Sequence, residues 1–152
     1  MTKHIRAALA LAVAALVPMA CGEAPEQAET APEGPEGVSV TNARLMLPAV
    51  VGNPGAVYFD IANASDRNRV IRKAEVAGAG SSTMHTADMQ EMTQVMVGPD
   101  QTVKFEPAGQ HVMAMDLADT VTAGGKVEVT LTFVGGDKIS FPADVRAAGD
   151  ER

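Results

Sequence analysis

Beyond residue 37, the only sustained hydrophobic period in this 152-residue chain is two. In Lys126-Val127-Glu128-Val129-Thr130-Leu131-Thr132-Phe133, the apolar residues Val127, Val129, Leu131 and Phe133 take every second position. Side chains two apart share one face of a strand, so this segment reads as a strand with one buried face. Val38 to Ala43 opens with the same alternation, and Ala56 to Ile61 follows a Gly-Asn-Pro-Gly turn at 52–55. Thr102 to Phe105 alternates too, Lys138 to Phe141 follows a Gly135-Gly136-Asp137 turn, and Asn68 to Val76 is a weaker strand candidate. Ser81-Ser82 reads as loop. No stretch keeps a helical period. Short strands punctuated by turn residues at this spacing predict an all-β chain, a single β-sandwich over residues 38–146 with a tail at 147–152.

The first 37 residues have a different character. Lys3, His4 and Arg6 precede an apolar run of eleven residues, Ala7 to Val17. That run is too short for a bilayer span and has the form of a secretory signal over residues 1–20. Cys21, the only cysteine, comes next, after Ala20 and before Gly22. This arrangement resembles a bacterial lipoprotein signal, in which the cysteine becomes the lipidated first residue. Pro18 departs from the aliphatic residue usual three positions before it. Residues 21–37 form an acidic tether: positions 22–37 hold five Glu and three Pro and no aliphatic residue larger than Ala. Such a segment buries too little apolar area to offset its ordering entropy.

Export leaves the folded part without a cysteine, so its stability must come from its core and not from a disulfide. The whole chain carries a net charge of −7; loss of Lys3 and Arg6 with the leader leaves 10 basic against 19 acidic side chains, a net −9. Phosphate backbones repel such a surface, which argues against a nucleic-acid partner.

The residues that carry chemistry are clustered. His85 and His111, the only histidines after the leader, lie among methionines, in Met84-His85-Thr86-Ala87-Asp88-Met89 and His111-Val112-Met113-Ala114-Met115. Six of the seven methionines after the leader fall between positions 84 and 115. Imidazole and thioether together suit a soft ion, Cu(I) first, because neutral polarizable sulfur binds it well and harder ions poorly. On a strand, His111, Met113 and Met115 would share a face. A loop or strand end after His85 would bring Met89 back towards it. Met46 and Met115 read as packing residues, and Tyr58 and the four phenylalanines as core.

Met89 is followed by twenty-one residues, His111, one residue and Met113. Pro107-Ala108-Gly109-Gln110-His111-Val112-Met113, Ala56-Val57-Tyr58 with Asn63, and Gly124-Gly125-Lys126-Val127 supply further context. These features resemble the periplasmic copper chaperone family PCuAC over about residues 38–146. The hallmark of that family is His, ten residues, Met, twenty-one residues, His, one residue, Met. Here only three residues separate His85 from Met89. Met96 does follow His85 after ten residues, but only fourteen then remain before His111. Met89 is preferred, because shortening a hairpin after His85 disturbs strand register less than a loss before His111.

The resemblance implies a cupredoxin-like or immunoglobulin-like sandwich and one Cu(I) per chain on His85, Met89, His111 and Met113, with Met96, Met92 and Met84 as alternates. It implies a metallochaperone in the periplasm of a Gram-negative bacterium, anchored to the membrane through lipid on Cys21. The copper acceptor would be the dinuclear centre of cytochrome c oxidase subunit II or another copper chaperone. A copper buffer for resistance, or a non-metal lipoprotein module with a Met-rich patch, are the alternatives. A blue-copper centre would need a cysteine inside the domain. Catalytic zinc would need a third histidine or a carboxylate, for which Asp88 is the one nearby candidate. No catalytic constellation is legible, and the chain is not expected to be an enzyme.

Overall fold

The computed structural model describes residues 34–150, and every regular element in that range is a strand. The expected signal peptide, Cys21 and most of the expected tether lie outside the described residues. Ten strands follow in order: β1 (Val38–Met46), β2 (Gly55–Asn63), β3 (Arg69–Val76), β4 (Ala79–His85), β5 (Glu91–Met92), β6 (Val95–Val97), β7 (Gln101–Phe105), β8 (His111–Leu117), β9 (Lys126–Phe133) and β10 (Lys138–Arg146). They pair in the order β5-β4-β8-β2-β1-β10-β9-β3-β6, with β7 also pairing with β2. The curled sheet is cupredoxin-like, in agreement with the all-β expectation. β1 and β10 are parallel, and every other pairing is antiparallel.

The alternation that predicts the strands also fills the core. Val127, Val129, Leu131 and Phe133 of β9 are buried, as are Val57, Phe59 and Ile61 of β2 and all four phenylalanines. Phe59 stacks on Phe105 at 4.3 Å between ring centroids and tilts against Phe141 at 5.4 Å, the offset and edge geometries that aromatic quadrupoles favour. The Gly135-Gly136 turn joins β9 to β10 with both glycines at positive φ (107° and 100°), a conformation that side chains resist.

Three features differ from the sequence expectations. Residues 79–85, with Ser81-Ser82 expected as loop, form β4. Apart from Met84 its residues are small or polar, and it is a strand because it is zipped between β8 and β5. Tyr58, expected in the core, is half-buried on the outward face of β2, between the buried Val57 and Phe59. The Pro107-Ala108-Gly109 turn does not reverse the chain. β7 and β8 run along β2 in one direction, pairing with residues 59–63 and 55–57, and residues 106–110 loop out between them. The loop closes on itself through Glu106 N–H to Gln110 O (2.9 Å) and Gly109 N–H to Glu106 O (2.9 Å). A looped-out segment of this kind re-aims the next side chain, here His111.

Candidate metal centre

His85 and His111 face each other as direct cross-strand partners in the β4–β8 ladder. Residues directly opposed across antiparallel strands share a face of the sheet. The buried alternates Met84, Val112 and Ala114 define the inner face, so Thr83, His85, His111 and Met113 stand together on the outer one. The two imidazole rings are 6.1 Å apart between centroids and within 18° of parallel. Tyr58 approaches His111 from the other side, at 6.4 Å and a 57° tilt, and the Arg44 guanidinium lies 5.1 Å from the Tyr58 ring centroid.

Each ring is held by a backbone carbonyl. His85 Nδ1 is 3.1 Å from the Met89 oxygen, and His111 Nδ1 is 3.0 Å from the Gly109 oxygen. A carbonyl only accepts, so in the neutral rings Nδ1 carries the proton and the lone pair sits on Nε2. Fixing one nitrogen of an imidazole in this way presents the other to a metal. The two tight turns that supply these carbonyls each bend through a residue at positive φ, Met89 (61°) and Ala108 (61°).

Met113 lies two residues beyond His111, with Thr83 opposite on β4 and Ala56 opposite on β2. Neither neighbour is bulky, which leaves the thioether room to move over the sheet. Met89 occupies the turn after His85, where Met89 N–H donates to Thr86 O at 3.0 Å, and it is 54% exposed. The structure thus brings His85, His111 and Met113 onto one face and sets Met89 on the turn that holds His85. The alternates are elsewhere. Met84 is in the core, 3% exposed, and Met92 is its cross-strand partner, facing the same way. Met96 projects outward from β6, whose strand partner is β3 and not β4 or β8.

The donor set is soft. Among the described residues no three His, Cys, Asp or Glu side chains converge as a metal site would require, and Asp88 gains no such company. What the outer face does assemble is neutral imidazole nitrogen and thioether sulfur, which fits Cu(I) better than zinc or an alkaline-earth ion. A concavity of about 580 Å³ is lined by polar and charged groups such as Arg44, Asp60 and Lys126, and none of these ligands lines it. Three neighbours of the histidines carry no signal in the sequence: Thr83 beside His85, Glu91 opposite it on β5, and Tyr58 beside His111. The period-two rule would have placed Thr83 beside His85 had residues 79–85 read as a strand.

Comparison with known proteins agrees with this architecture. The chain is 28% identical over 147 residues to Lxx21020 of Leifsonia xyli subsp. xyli, named as a lipoprotein, covering 90% of this chain and 87% of that one. Its fold is similar to the copper-bound PCuAC domain from PmoF2 (TM-score 0.65, 22% identity, 73% of this chain and 93% of that one). It is also similar to the PCuAC domain from PmoF1 (TM-score 0.66, 24% identity, 73% and 94%). Cu(I)-bound DR1885 from Deinococcus radiodurans is comparable (TM-score 0.65, 21% identity, 79% and 85%). Residues 38–145, the whole sandwich, match the LpqE-like lipoprotein family, and the chain belongs to it, with the fold of a PCuAC domain.

Proposed function

We propose that this protein carries Cu(I) outside the cytoplasm and delivers it by ligand exchange. The observation that carries the proposal is the direct pairing of His85 with His111, each with Nδ1 tied to a backbone carbonyl and Met113 on the same face. His85, Met89, His111 and Met113 would hold one ion. The relatives support this: two of the similar structures are described as bound to copper. Four neutral ligands leave the complex a monocation at an open surface, and an incoming cysteine or histidine displaces them stepwise. Thiolate binds Cu(I) more strongly than thioether, so the acceptor's affinity sets the direction of transfer. No bond in the cargo or acceptor other than metal–ligand bonds is made or broken, so the protein acts without catalysis.

The acceptor implied by the family resemblance is the dinuclear copper centre of cytochrome c oxidase subunit II, with another copper chaperone as the alternative. Lipidation at Cys21, outside the described residues, would tether the domain to a membrane. The lipoprotein name of the Leifsonia relative and of the family supports that location.

The deciding experiment is an anaerobic Cu(I) titration of the mature chain against a chromophoric chelator, with His111→Ala alongside. One Cu(I) per chain, lost in the variant, is the expected result. Failure to compete with the chelator would overturn copper carriage and favour a Met-rich docking module.

A further inference from the structure

The two histidines are not equivalent. Thr83 Oγ1 lies 2.8 Å from His85 Nε2. Because His85 Nδ1–H donates to the Met89 carbonyl, Nε2 carries the ring's lone pair, and the Thr83 hydroxyl donates to it. The nitrogen that would bind an ion at His85 is therefore already occupied by an internal hydrogen bond. His111 is tied in the same way at Nδ1, to Gly109, but among the described residues no such bond reaches its Nε2. Thr83 is also the direct cross-strand partner of Met113, so it neighbours two of the four proposed ligands, His85 and Met113.

Resting on the copper-carrying function proposed above, we infer that Thr83 is a placeholder ligand that caps His85 Nε2 in the empty protein and retakes it when copper leaves. Binding at His85 then requires loss of the Thr83 hydrogen bond, whereas binding at His111 requires no equivalent loss. His111 with Met113 is the first contact for an arriving ion and His85 closes the site last. In release the order reverses: the Thr83 hydroxyl competes for Nε2, so His85 is the first ligand given up to an acceptor. Threonine suits this role because its β-branched side chain is stiff about χ1, which keeps the hydroxyl in place. Thr83 is thus a positioning residue that tunes affinity and exit rate through His85.

The test uses Thr83→Val, which keeps the branched shape and removes the hydroxyl, and Thr83→Ser, which keeps the hydroxyl. In the metal-free protein, long-range proton–nitrogen NMR should show the His85 Nε2 resonance moving towards that of an unbonded lone pair in Thr83→Val, with Nδ1 still protonated. Thr83→Ser should retain the wild-type shift. In the chelator titration, Thr83→Val should bind Cu(I) roughly three- to tenfold more tightly, the worth of one net hydrogen bond, and release it to a thiol competitor more slowly. An unchanged Nε2 resonance in Thr83→Val would show that the cap does not exist. A moved resonance with unchanged or weaker affinity would make the hydrogen bond structural only. Each of these outcomes overturns the placeholder role while leaving copper carriage intact. A wild-type protein that fails to bind Cu(I) removes both.

Discussion

The carbonyl oxygen of Met89 accepts the Nδ1 proton of His85 at 3.1 Å, so the turn that presents one thioether also fixes the imidazole beside it. In the proposed site, backbone and side chain of this single residue would serve in different ways. The two contributions are separable by substitution, because leucine keeps the carbonyl and removes the sulfur.

Met89→Leu should weaken Cu(I) binding roughly 10- to 100-fold, the range seen when a metal site loses a supporting group. The His85 tautomer, followed by nitrogen NMR of the metal-free protein, should stay as it is. Met96→Leu on β6 should leave affinity unchanged, since Met96 pairs with Val70 of β3 and not with a residue of β4 or β8. The same chelator competition reads both. Equal losses in the two variants, or a loss only in Met96→Leu, would move the sulfur donor away from the His85 turn.

Met84 and Met113 lie on opposite faces of neighbouring strands, so truncating them should separate stability from binding. Met84→Ala opens a cavity in the core, where the side chain is 3% exposed, and should cost about 2–5 kcal/mol in urea unfolding. Met113→Ala, on the outward face, should cost much less stability and weaken copper binding instead. A Met113→Ala protein with wild-type affinity would exclude that residue as a ligand.

Much of this was legible in the sequence because one signal dominated. β9 alternates apolar and polar residues with little ambiguity and its inward set is core, whereas β2 alternates in burial but reads as an apolar run over Ala56-Val57-Tyr58-Phe59. Clustering of His85 and His111 with methionines pointed to the outer-face assembly. β4 was not legible, because only pairing with β8 and β5 makes a strand of Ala79-Gly80-Ser81-Ser82-Thr83-Met84-His85. Without that strand there was no register, and without register neither the opposition of His85 and His111 nor the cap from Thr83 could be read. Tyr58 was misplaced for a related reason: β2 alternates throughout, so Tyr58 takes the face opposite Phe59 whatever its hydrophobicity. The excursion at 106–110 carried the residues of a hairpin turn, and only its shared partner strand reveals a bulge.

Two surface carboxylates should hold their charge to lower pH than an ordinary side-chain carboxyl. Asp144 is held below the usual carboxylate range by its hydrogen bond to Lys126 and then by the charge of that lysine, and Glu75 is lowered chiefly by its hydrogen bond to Lys73. A depressed folded-state pKa adds stability that is complete above the unfolded value and fades as pH falls through the folded value. The window therefore lies at the acid end of carboxylate titration, and at neutral pH nothing changes. Both pairs are exposed and screened, so the stability at stake is small. Carbon NMR titration should find both midpoints low in the wild type, with Asp144 returning upward in Lys126→Ala and Glu75 in Lys73→Ala.

Asn63, at the far end of β2 from Gly55, holds the distal turns together. It is 1% exposed, and a buried amide is tolerable only when its polar atoms are satisfied. Its Nδ2 donates to the carbonyls of Arg67 (2.7 Å), Val97 (3.0 Å) and Gly98 (3.0 Å), while Oδ1 accepts from Ser65 N–H (3.1 Å) and Ser65 Oγ–H (2.6 Å). Two amide hydrogens serve three carbonyls, so one bond is shared, and the side chain ties the 64–68 turn to the end of β6. Asn63→Ala would take the amide donor from the buried carbonyls of Val97 and Gly98, of which Gly98 keeps Gln101 N–H (3.2 Å), at a cost of about 1–3 kcal/mol for a buried polar group left unpaired, besides the packing lost. A total loss of about 2–4 kcal/mol is expected in urea unfolding, seen as a lower midpoint at unchanged slope. Faster amide exchange should be concentrated around residues 64–68 and 97–101. Copper binding should be unaffected, because His111 and Met113 lie beside the other half of β2, at residues 55–57. A variant that keeps its stability would show that Asn63 fills space without bearing load, and one that loses copper would tie the distal turns to the metal site through β2.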